Sequence, residues 1–198
     1  MNSNHSERIR AIISESIRVK ENILADADFL SIIDKVVKVV TSAFSQGKKV
    51  LFCGNGGSAA DAQHLAAEFS GRFYKNRHPL FSEALHVNTS YLTAVANDFS
   101  YDEVYARLVQ AMGTTEDVLF AISTSGNSPN ILRAIEEARL KGMTVVGLTG
   151  DKGGKMKEMC DYIFCVPSAD TPRIEESHIM IGHIICYLVE DIYSDNEY

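Results

Sequence analysis

The sequence predicts an α/β protein of three layers, in which a doubly wound parallel sheet is covered by helices on both faces. Short apolar runs alternate along the chain with longer segments whose apolar residues recur at helical spacing. Strands that are separated by helices form parallel sheets, and such sheets need helices on both faces. The 198 residues suit one domain with a sizeable core, so residues 1–198 are predicted to form a single domain.

Two helices are predicted before the first strand, because apolar residues lie at helical spacing up to about residue 20 and again over residues 28–44. Residues 1–46 are therefore predicted to be a helical extension used for packing and oligomerisation. The predicted strands that follow cover residues 50–53, 84–87, 118–122, 144–148 and 162–166. The predicted helices between and after them cover residues 58–73, 90–96, 101–112, 130–141, 155–159 and 173–192.

Composition argues against several classes of function. The chain has 19 basic and 26 acidic residues, a formal net charge of −7, and no basic patch that could neutralise nucleic-acid phosphates. Its N-terminal segment lacks the pattern of a signal peptide, and no apolar run reaches the length of a membrane span. The 4 cysteines form no CxxC pair, which favours reduced thiols and a cytoplasmic location. Neither nucleic acid nor a membrane is an expected partner.

The most informative segment is residues 53–68, which read CGNGGSAADAQHLAAE. An apolar strand ends at Gly54 in a glycine turn, and Ser58 stands where a helix N-cap is expected, ahead of helix-favouring alanines. Such a turn presents free backbone N–H groups and the positive end of a helix dipole, which predicts a phosphate-type loop. Further along the same helix, His64 and Glu68 are four residues apart and share one face, so both can reach one site.

A second loop repeats this design after the run at residues 118–122. Its hydroxyl side chains are Ser123, Thr124, Ser125 and Ser128. Pro129 then opens a helix at a position where its missing N–H is not needed. Neither loop has the Gly-Lys-Ser/Thr of a P-loop or the spacing of the dinucleotide fingerprint. Two such loops without lysine indicate a phosphomonoester held by neutral dipoles.

The last predicted helix carries two further candidates, Glu175 and His183. The helix is apolar on several sides, which indicates burial between layers or subunits. A histidine in such a helix is more often a satisfied core residue than a ligand, and a glutamate near a helix start is more often solvated. The residues alone leave the structural and the functional interpretation open.

Five segments together resemble the sugar isomerase (SIS) domain family, and within it the isomerases of heptose phosphates. They are CGNGGSAADAQHLAAE at 53–68, VAND at 95–98, STSGNSPN at 123–130, LTGDKGGKM at 148–156 and DTPRIEESHIMIGHI at 170–184. The resemblance extends over nearly the whole chain and implies the SIS fold. It also implies an aldose–ketose isomerase of bacterial heptose biosynthesis, which converts sedoheptulose 7-phosphate to D-glycero-D-manno-heptose 7-phosphate through an enediol.

The resemblance implies a role for each matching residue. The implied substrate contacts are Asn55, Gly56, Gly57, Ser58, Glu68, Asn97, Asp98, Ser123, Thr124, Ser125, Ser128 and Glu175. The implied ligands of one zinc ion per site are His64, Glu68, Glu175 and His183. Glu68 is the implied catalytic base, and His183 is the implied second acid/base.

Glu175 departs from the family pattern, which has glutamine at this ligand position. Two histidines, one glutamate and one glutamine leave a zinc site with a net positive charge, whereas Glu175 makes the site neutral. A neutral site is expected to hold the metal more tightly and to polarise a carbonyl less.

The resemblance also implies a homotetramer with sites at subunit interfaces. Glu175 and His183 are eight residues apart, about 12 Å along one helix, whereas zinc bonds are only about 2 Å long. One of the two, and more readily His183, is therefore expected to come from a neighbouring subunit.

Two alternatives stay open: an SIS isomerase for a pentose or hexose phosphate, and a non-enzymatic SIS adaptor that binds the replication initiator protein. The adaptor would not need the acid/base and metal residues.

Overall fold

The computed structural model describes residues 5–195, in which helices and strands alternate. The strands are β1 (Val50–Gly54), β2 (Ser82–Ala84), β3 (Val118–Ile122), β4 (Thr144–Thr149) and β5 (Tyr162–Cys165). The α-helices are α1 (His5–Ala25), α2 (Ala27–Ser45), α3 (Gly57–Ser70), α4 (Thr89–Asp98), α5 (Val104–Met112), α6 (Pro129–Leu140) and α7 (Thr171–Asp195). Short 3₁₀ turns lie at Tyr101–Glu103 and Gly154–Glu158. In this part of the chain, no helix combines the length and the apolar character needed to cross a bilayer.

The five strands form one parallel sheet in the order β2-β1-β3-β4-β5. After β1 the chain adds β2 on one side, and it then crosses back to add β3 on the other side. The strand order therefore reverses between β1 and β3. In open α/β sheets, ligands bind beyond the carboxyl ends of the strands at such a switch point.

Apolar side chains cover both faces of the sheet. On one face, Phe52 and Phe120 belong to a buried cluster that includes residues of α2, α3 and α7. On the other face, Leu51 and Leu119 belong to a second cluster with residues of α5 and α6. Successive strand residues point to opposite faces, so every second residue enters the same layer. The predicted three-layer, doubly wound fold is confirmed.

The two N-terminal helices differ in how they pack. Helix α1 ends at Ala25, and Asp26 follows it. Asp26 caps α2, because its carboxylate accepts a hydrogen bond of 3.0 Å from the Phe29 N–H. The apolar face of α2 is buried in the core. In contrast, α1 exposes a row of isoleucines, each with 51–56% of its surface open: Ile9, Ile12, Ile13 and Ile17. The chain thus leaves this apolar face of α1 uncovered.

Several predicted boundaries were wrong. Ser58 is not an N-cap; α3 begins one residue earlier, after Gly56, whose φ of 56° lies in the left-handed region that favours glycine. The same helix ends at Ser70 rather than at residue 73. The second strand lies at Ser82–Ala84 rather than at 84–87, because only these three residues pair with β1 at the sheet edge. The predicted helix at 101–112 starts as a 3₁₀ turn before α5.

Candidate active site

The two predicted loops lie side by side beyond the carboxyl ends of β1 and β3. The strands are paired in register up to Gly54 and Ile122, the last residues of each. The loop at 55–56 therefore starts next to the loop at 123–128, and α3 and α6 start from these loops. Two helix N-termini thus meet at the switch point, which is the arrangement that binds an anionic group.

The first loop is sterically constrained at Gly54. A Cβ on this residue would lie 2.4 Å from the carbonyl oxygen of Ser58, so only glycine permits the tight passage from β1 into α3. Ser58 itself is buried in the first turn of α3. The chain therefore passes from β1 into α3 with no room for a side chain at residue 54.

A pair of amide side chains joins the two loops. Asn55 and Asn130 donate to each other's carbonyl oxygen, each over 2.9 Å, and Asn130 is only 2% exposed. The Tyr101 hydroxyl also donates to Asn55 Oδ1, over 3.2 Å. This reciprocal bond holds Asn55 in one orientation. Sequence reasoning assigned no site role to Asn130 or Tyr101, although Asn130 ends the STSGNSPN segment.

The hydroxyls of the second loop converge. Ser123 Oγ lies 3.0 Å from Ser128 Oγ and 3.4 Å from Ser125 Oγ, and the Asn127 N–H donates to Ser125 Oγ over 3.2 Å. Ser128 precedes α6 without capping it by its side chain. The hydroxyls and the backbone N–H groups at the start of this helix are thus grouped where an anion can accept from them.

Residues 150–156, which follow β4, support the second loop through backbone hydrogen bonds. The Gly150 N–H donates to the Thr124 carbonyl over 2.9 Å, and the Met156 N–H donates to the Gly126 carbonyl over 3.2 Å. A Cβ on Gly126 would overlap the carbonyl of Gly153. Close backbone contact therefore holds the loop in place before any ligand binds. Between this segment, the loop and the start of α7 lies a recess of about 310 Å³.

Three metal-ligand-type side chains meet two turns along α3. His64 Nε2 lies 3.0 Å from Glu68 Oε1 and 3.2 Å from His183 Nε2, and one donor atom from each residue lies within 4.8 Å of the others. Zinc bonds of about 2.1 Å in tetrahedral geometry separate neighbouring ligand atoms by about 3.4 Å. The spacing and chemistry of this trio of His64, Glu68 and His183 therefore fit a zinc ion with an open fourth position.

The protonation of His183 suits such a role. Burial lowers the pKa of His183, and the neighbouring His64 lowers it further, while Glu68 acts in the opposite direction. A lowered pKa keeps the imidazole neutral near pH 7, with a lone pair available to a metal or a proton. The trio is also accessible, since the His64 side chain is 51% exposed and that of Glu68 is 22% exposed.

The trio forms because α3 and α7 pack closely and run parallel. Gly182 faces Leu65, and a Cβ on Gly182 would lie 2.5 Å from both terminal methyl carbons of the leucine. The helices can approach this closely only because residue 182 has no side chain. The neighbouring residue, His183, then reaches His64 of the same chain.

This geometry corrects the expectation that His183 comes from a neighbouring subunit. The chain supplies its own His183 to the trio, whereas Glu175 is not among the three residues. Glu175 lies instead beside the start of α3, where its Oε1 would be 2.7 Å from a Cβ on Gly57. That point is about 12 Å from His183 along α7. Within one subunit, Glu175 and the trio are therefore separate.

Asp61 is a further candidate for the site, which sequence reasoning missed. It lies one turn before His64 on α3, and its Oδ2 is buried with no hydrogen-bond partner among residues 5–195. Burial and, to a smaller extent, the charge of Glu175 raise the pKa of Asp61 to about 6, while His64 acts in the opposite direction. Its spacing of three residues from His64 was the signal in the sequence.

Asn97 and Asp98 are the last two residues of α4. Both are exposed at the end of α4, where the Asn97 amide donates to the Asp98 carboxylate over 2.9 Å. The chain continues directly into the 3₁₀ turn that carries Tyr101, which reaches Asn55. Their link to the loops is therefore indirect in this structure, and their contact with substrate stays a prediction.

Comparisons with known proteins agree with this architecture. The model of the SIS domain matches residues 14–150. A phosphoheptose isomerase of Aneurinibacillus thermoaerophilus is 51% identical over 193 residues, which cover 98% of each chain. The solved structure of phosphoheptose isomerase GmhA from Neisseria gonorrhoeae superposes with a TM-score of 0.89 at 39% identity, over 95% of this chain and 100% of that one. A phosphoheptose isomerase structure from Francisella tularensis gives a TM-score of 0.90 at 34% identity, over 95% of this chain and 99% of that one.

We expect Gly182→Ala to separate α3 from α7 and to disrupt the trio. The added methyl overlaps Leu65, so the free energy of unfolding should fall by about 1–3 kcal/mol. Zinc retention after dialysis should fall as well, because His183 moves away from His64. Thermal melts and metal analysis measure the two effects.

The double variant Gly182→Ala/Leu65→Ala serves as the matched control. It removes the side chain that the new methyl overlaps, so part of the zinc retention should return. A single Gly182→Ala variant with the stability and zinc content of the unmodified protein would show that the close contact does not position the trio.

Proposed function

Because the chain belongs to the SIS domain family, we propose that it is an aldose–ketose isomerase that converts sedoheptulose 7-phosphate to D-glycero-D-manno-heptose 7-phosphate. The observation that carries this proposal is the placement of an acid/base trio two turns along a helix that starts at a phosphate-type loop. A curated relative named phosphoheptose isomerase, 51% identical over 98% of this chain, supports the same reaction. The proposed location is the cytoplasm, within bacterial heptose biosynthesis.

The proposed site has an anchoring end and a reacting end. The hydroxyls of Ser123, Ser125 and Ser128 and the start of α6 hold the phosphate. From Gly57 to His64 the helix rises about 10 Å, so the trio lies well beyond the loops. A phosphate on the last carbon of an extended sugar would leave the first two carbons near the trio. The separation thus favours a long sugar phosphate with its reacting carbons far from the phosphate.

The proton transfers are assigned to Glu68 and His183. One carboxylate oxygen of Glu68 removes the proton from the carbon next to the carbonyl and returns it to the neighbouring carbon. His183 moves the hydroxyl proton between the two oxygens of the enediol, and it can do so only through a ring nitrogen that holds no metal. His64, Glu68 and His183 would hold a zinc ion, which as a Lewis acid polarises the sugar carbonyl. The trio by itself would leave a coordination position for the substrate. If Glu175 of another subunit takes that position, one ligand would have to leave or the coordination would have to expand before substrate binds.

The proposed assembly is a homo-oligomer, most simply a tetramer, with sites shared between subunits. Two uncovered apolar surfaces support it: the isoleucine row of α1, and a recess of about 820 Å³ beside His183. The recess is lined by Phe73, Tyr74, Ile179, Met180, His183, Ile184 and Tyr187. Since Glu175 lies apart from its own trio, its proposed role as the fourth ligand requires the trio of another subunit.

A non-enzymatic adaptor would not need the trio and is not favoured.

Glu68→Gln should reduce kcat by roughly 10²–10⁴-fold, since it removes the general base and keeps the side-chain volume. The assay is NMR of the products formed from sedoheptulose 7-phosphate. A chelator-treated sample of the unmodified protein and a thermal melt of the variant separate loss of base from loss of metal or fold. Turnover at the normal rate in Glu68→Gln would exclude the proposed proton transfer.

Ser125→Ala and Ser128→Ala should each raise KM by about 10–100-fold, because each removes a hydrogen bond to a charged group at the non-reacting end. The value of kcat should change less than KM. Ser42→Ala, an exposed serine of α2, is the matched control and should leave both constants unchanged. Normal KM values in both loop variants would place the phosphate elsewhere.

Ile13→Glu/Ile17→Glu should dissociate the oligomer, because it places charge in the exposed isoleucine row of α1. Analytical ultracentrifugation measures the mass, and Arg10→Glu on the same helix is the control. We expect the smaller species to lose activity. A monomer that turns over the sugar phosphate at the normal rate would contradict shared sites.

Mixing of variants tests which residues a site shares. Glu68→Gln and His183→Ala subunits, refolded together, should not regain activity, because both residues belong to one trio. Glu68→Gln and Glu175→Ala subunits should regain part of it if Glu175 serves a neighbouring trio. The opposite pattern would assign His183 to the neighbour.

A further inference from the structure

A buried ion pair lies at the far end of the packed helices α3 and α7. Arg77 follows α3 in the chain, and Glu190 is seven residues beyond His183 on α7. Arg77 Nε lies 3.1 Å from Glu190 Oε1, and both side chains are only 1% exposed. Burying a charged pair carries a desolvation penalty, so such a pair is weak evidence for stability alone. Both side chains also bind backbone groups around them.

Glu190 binds the backbone of the segment that leaves α3. Its carboxylate accepts N–H hydrogen bonds from Phe73, Tyr74 and Lys75, over 2.9, 2.6 and 2.8 Å. Three successive N–H groups thus converge on one carboxylate of α7. The ring of Phe73 in turn packs on the ring of His183, with 5.6 Å between centroids. Glu190 therefore fixes the aromatic wall against which His183 lies.

Arg77 binds the end of α3 itself. Its Nη2 donates to the carbonyl oxygen of Glu68 over 2.9 Å, and its Nη1 donates to that of Phe69 over 2.9 Å. Carbonyls in the last turn of a helix lack partners within the helix, and a basic side chain can satisfy them. Here the satisfied carbonyl belongs to Glu68. One guanidinium thus connects the backbone of Glu68 to a carboxylate of the helix that carries His183.

We propose that Arg77 and Glu190 are positioning residues of the isomerase site, which set the last turn of α3 relative to α7 and so hold Glu68 at its working distance from His183. Gly182 lets the two helices approach each other. The ion pair between Arg77 and Glu190 fixes their relative position on the C-terminal side of the trio. The inference rests on the proposed function for its kinetic consequence only. Its geometric consequence, the relative placement of the trio, can be measured without turnover.

Arg77→Lys is the primary variant. Lysine keeps the positive charge next to Glu190, but it lacks the planar fork that reaches Glu68 and Phe69 at the same time. We expect kcat to fall roughly 10–100-fold with KM unchanged, because small displacements of a catalytic group have effects of this size. We also expect the affinity of the trio for Co²⁺, titrated by its visible absorption, to fall roughly 10–100-fold, as for other supports of metal ligands.

Glu190→Asp is the second variant, in case Arg77→Lys does not fold. It keeps the charge and withdraws it by one methylene from the N–H groups of residues 73–75. The same two readouts should fall. Ile135→Val on the other face of the sheet is the control for lowered stability, and Asp34→Asn, which breaks an exposed ion pair with Lys38, is the control for lost charge. Neither control should change kcat or Co²⁺ affinity.

The outcomes separate this inference from the proposed function. Lowered Co²⁺ affinity and lowered kcat at constant KM in either variant support positioning. If the unmodified protein does not isomerise the heptose phosphate, the proposed function fails, and the Co²⁺ titration still decides the inference. If a folded variant melts at a lower temperature while kcat and Co²⁺ affinity stay normal, Arg77 and Glu190 serve stability only and the inference is overturned.

Discussion

The close parallel packing of α3 against α7 is the constraint on which the candidate site depends. Gly182 leaves no side chain between the helices, so Leu65 lies directly against the backbone of α7. Because the helices are this close, His183 Nε2 lies 3.2 Å from His64 Nε2. Metal sites tolerate deviations of only about 0.2 Å in ligand distance, and a methyl group between the helices exceeds that tolerance. The close approach of His183 to His64 therefore depends on the missing side chain at residue 182.

The two ends of the site rely on different physics. The phosphate-type loops are rigid because backbone approaches backbone: Gly126 lies against Gly153, and the amides of Asn55 and Asn130 tie one loop to the other. Fixed dipoles of this kind need little reorganisation when an anion arrives. The reacting end instead uses titratable side chains on helices, where small changes of helix position matter. Binding energy at the rigid end can thus orient a substrate at the reacting end.

Negative charge is concentrated between these two ends. Asp61 and Glu175 lie near the start of α3, and burial together with Glu175 raises the pKa of Asp61. The positive end of the α3 dipole partly offsets this charge. The pKa of Asp61 is higher in the folded protein than in the unfolded chain. Ionisation of Asp61 therefore opposes folding once the pH rises above the pKa that Asp61 has in the unfolded chain. Replacing Glu175 by glutamine, the residue that the resemblance to the family implies at this position, would remove one of these charges.

The sequence by itself determined the alternation of strands and helices, both loops and the shared face of His64 and Glu68, because these features depend on periodicity and short spacing. It misplaced the start of α3 by one residue, because the left-handed backbone at Gly56 replaces the expected serine cap. Only the tertiary structure decided that His183 joins His64 of its own chain, 119 positions away. The same holds for Asn55 with Asn130 and for Arg77 with Glu190. Contacts between distant segments leave no periodic pattern in a sequence, since they depend on how closely whole elements pack.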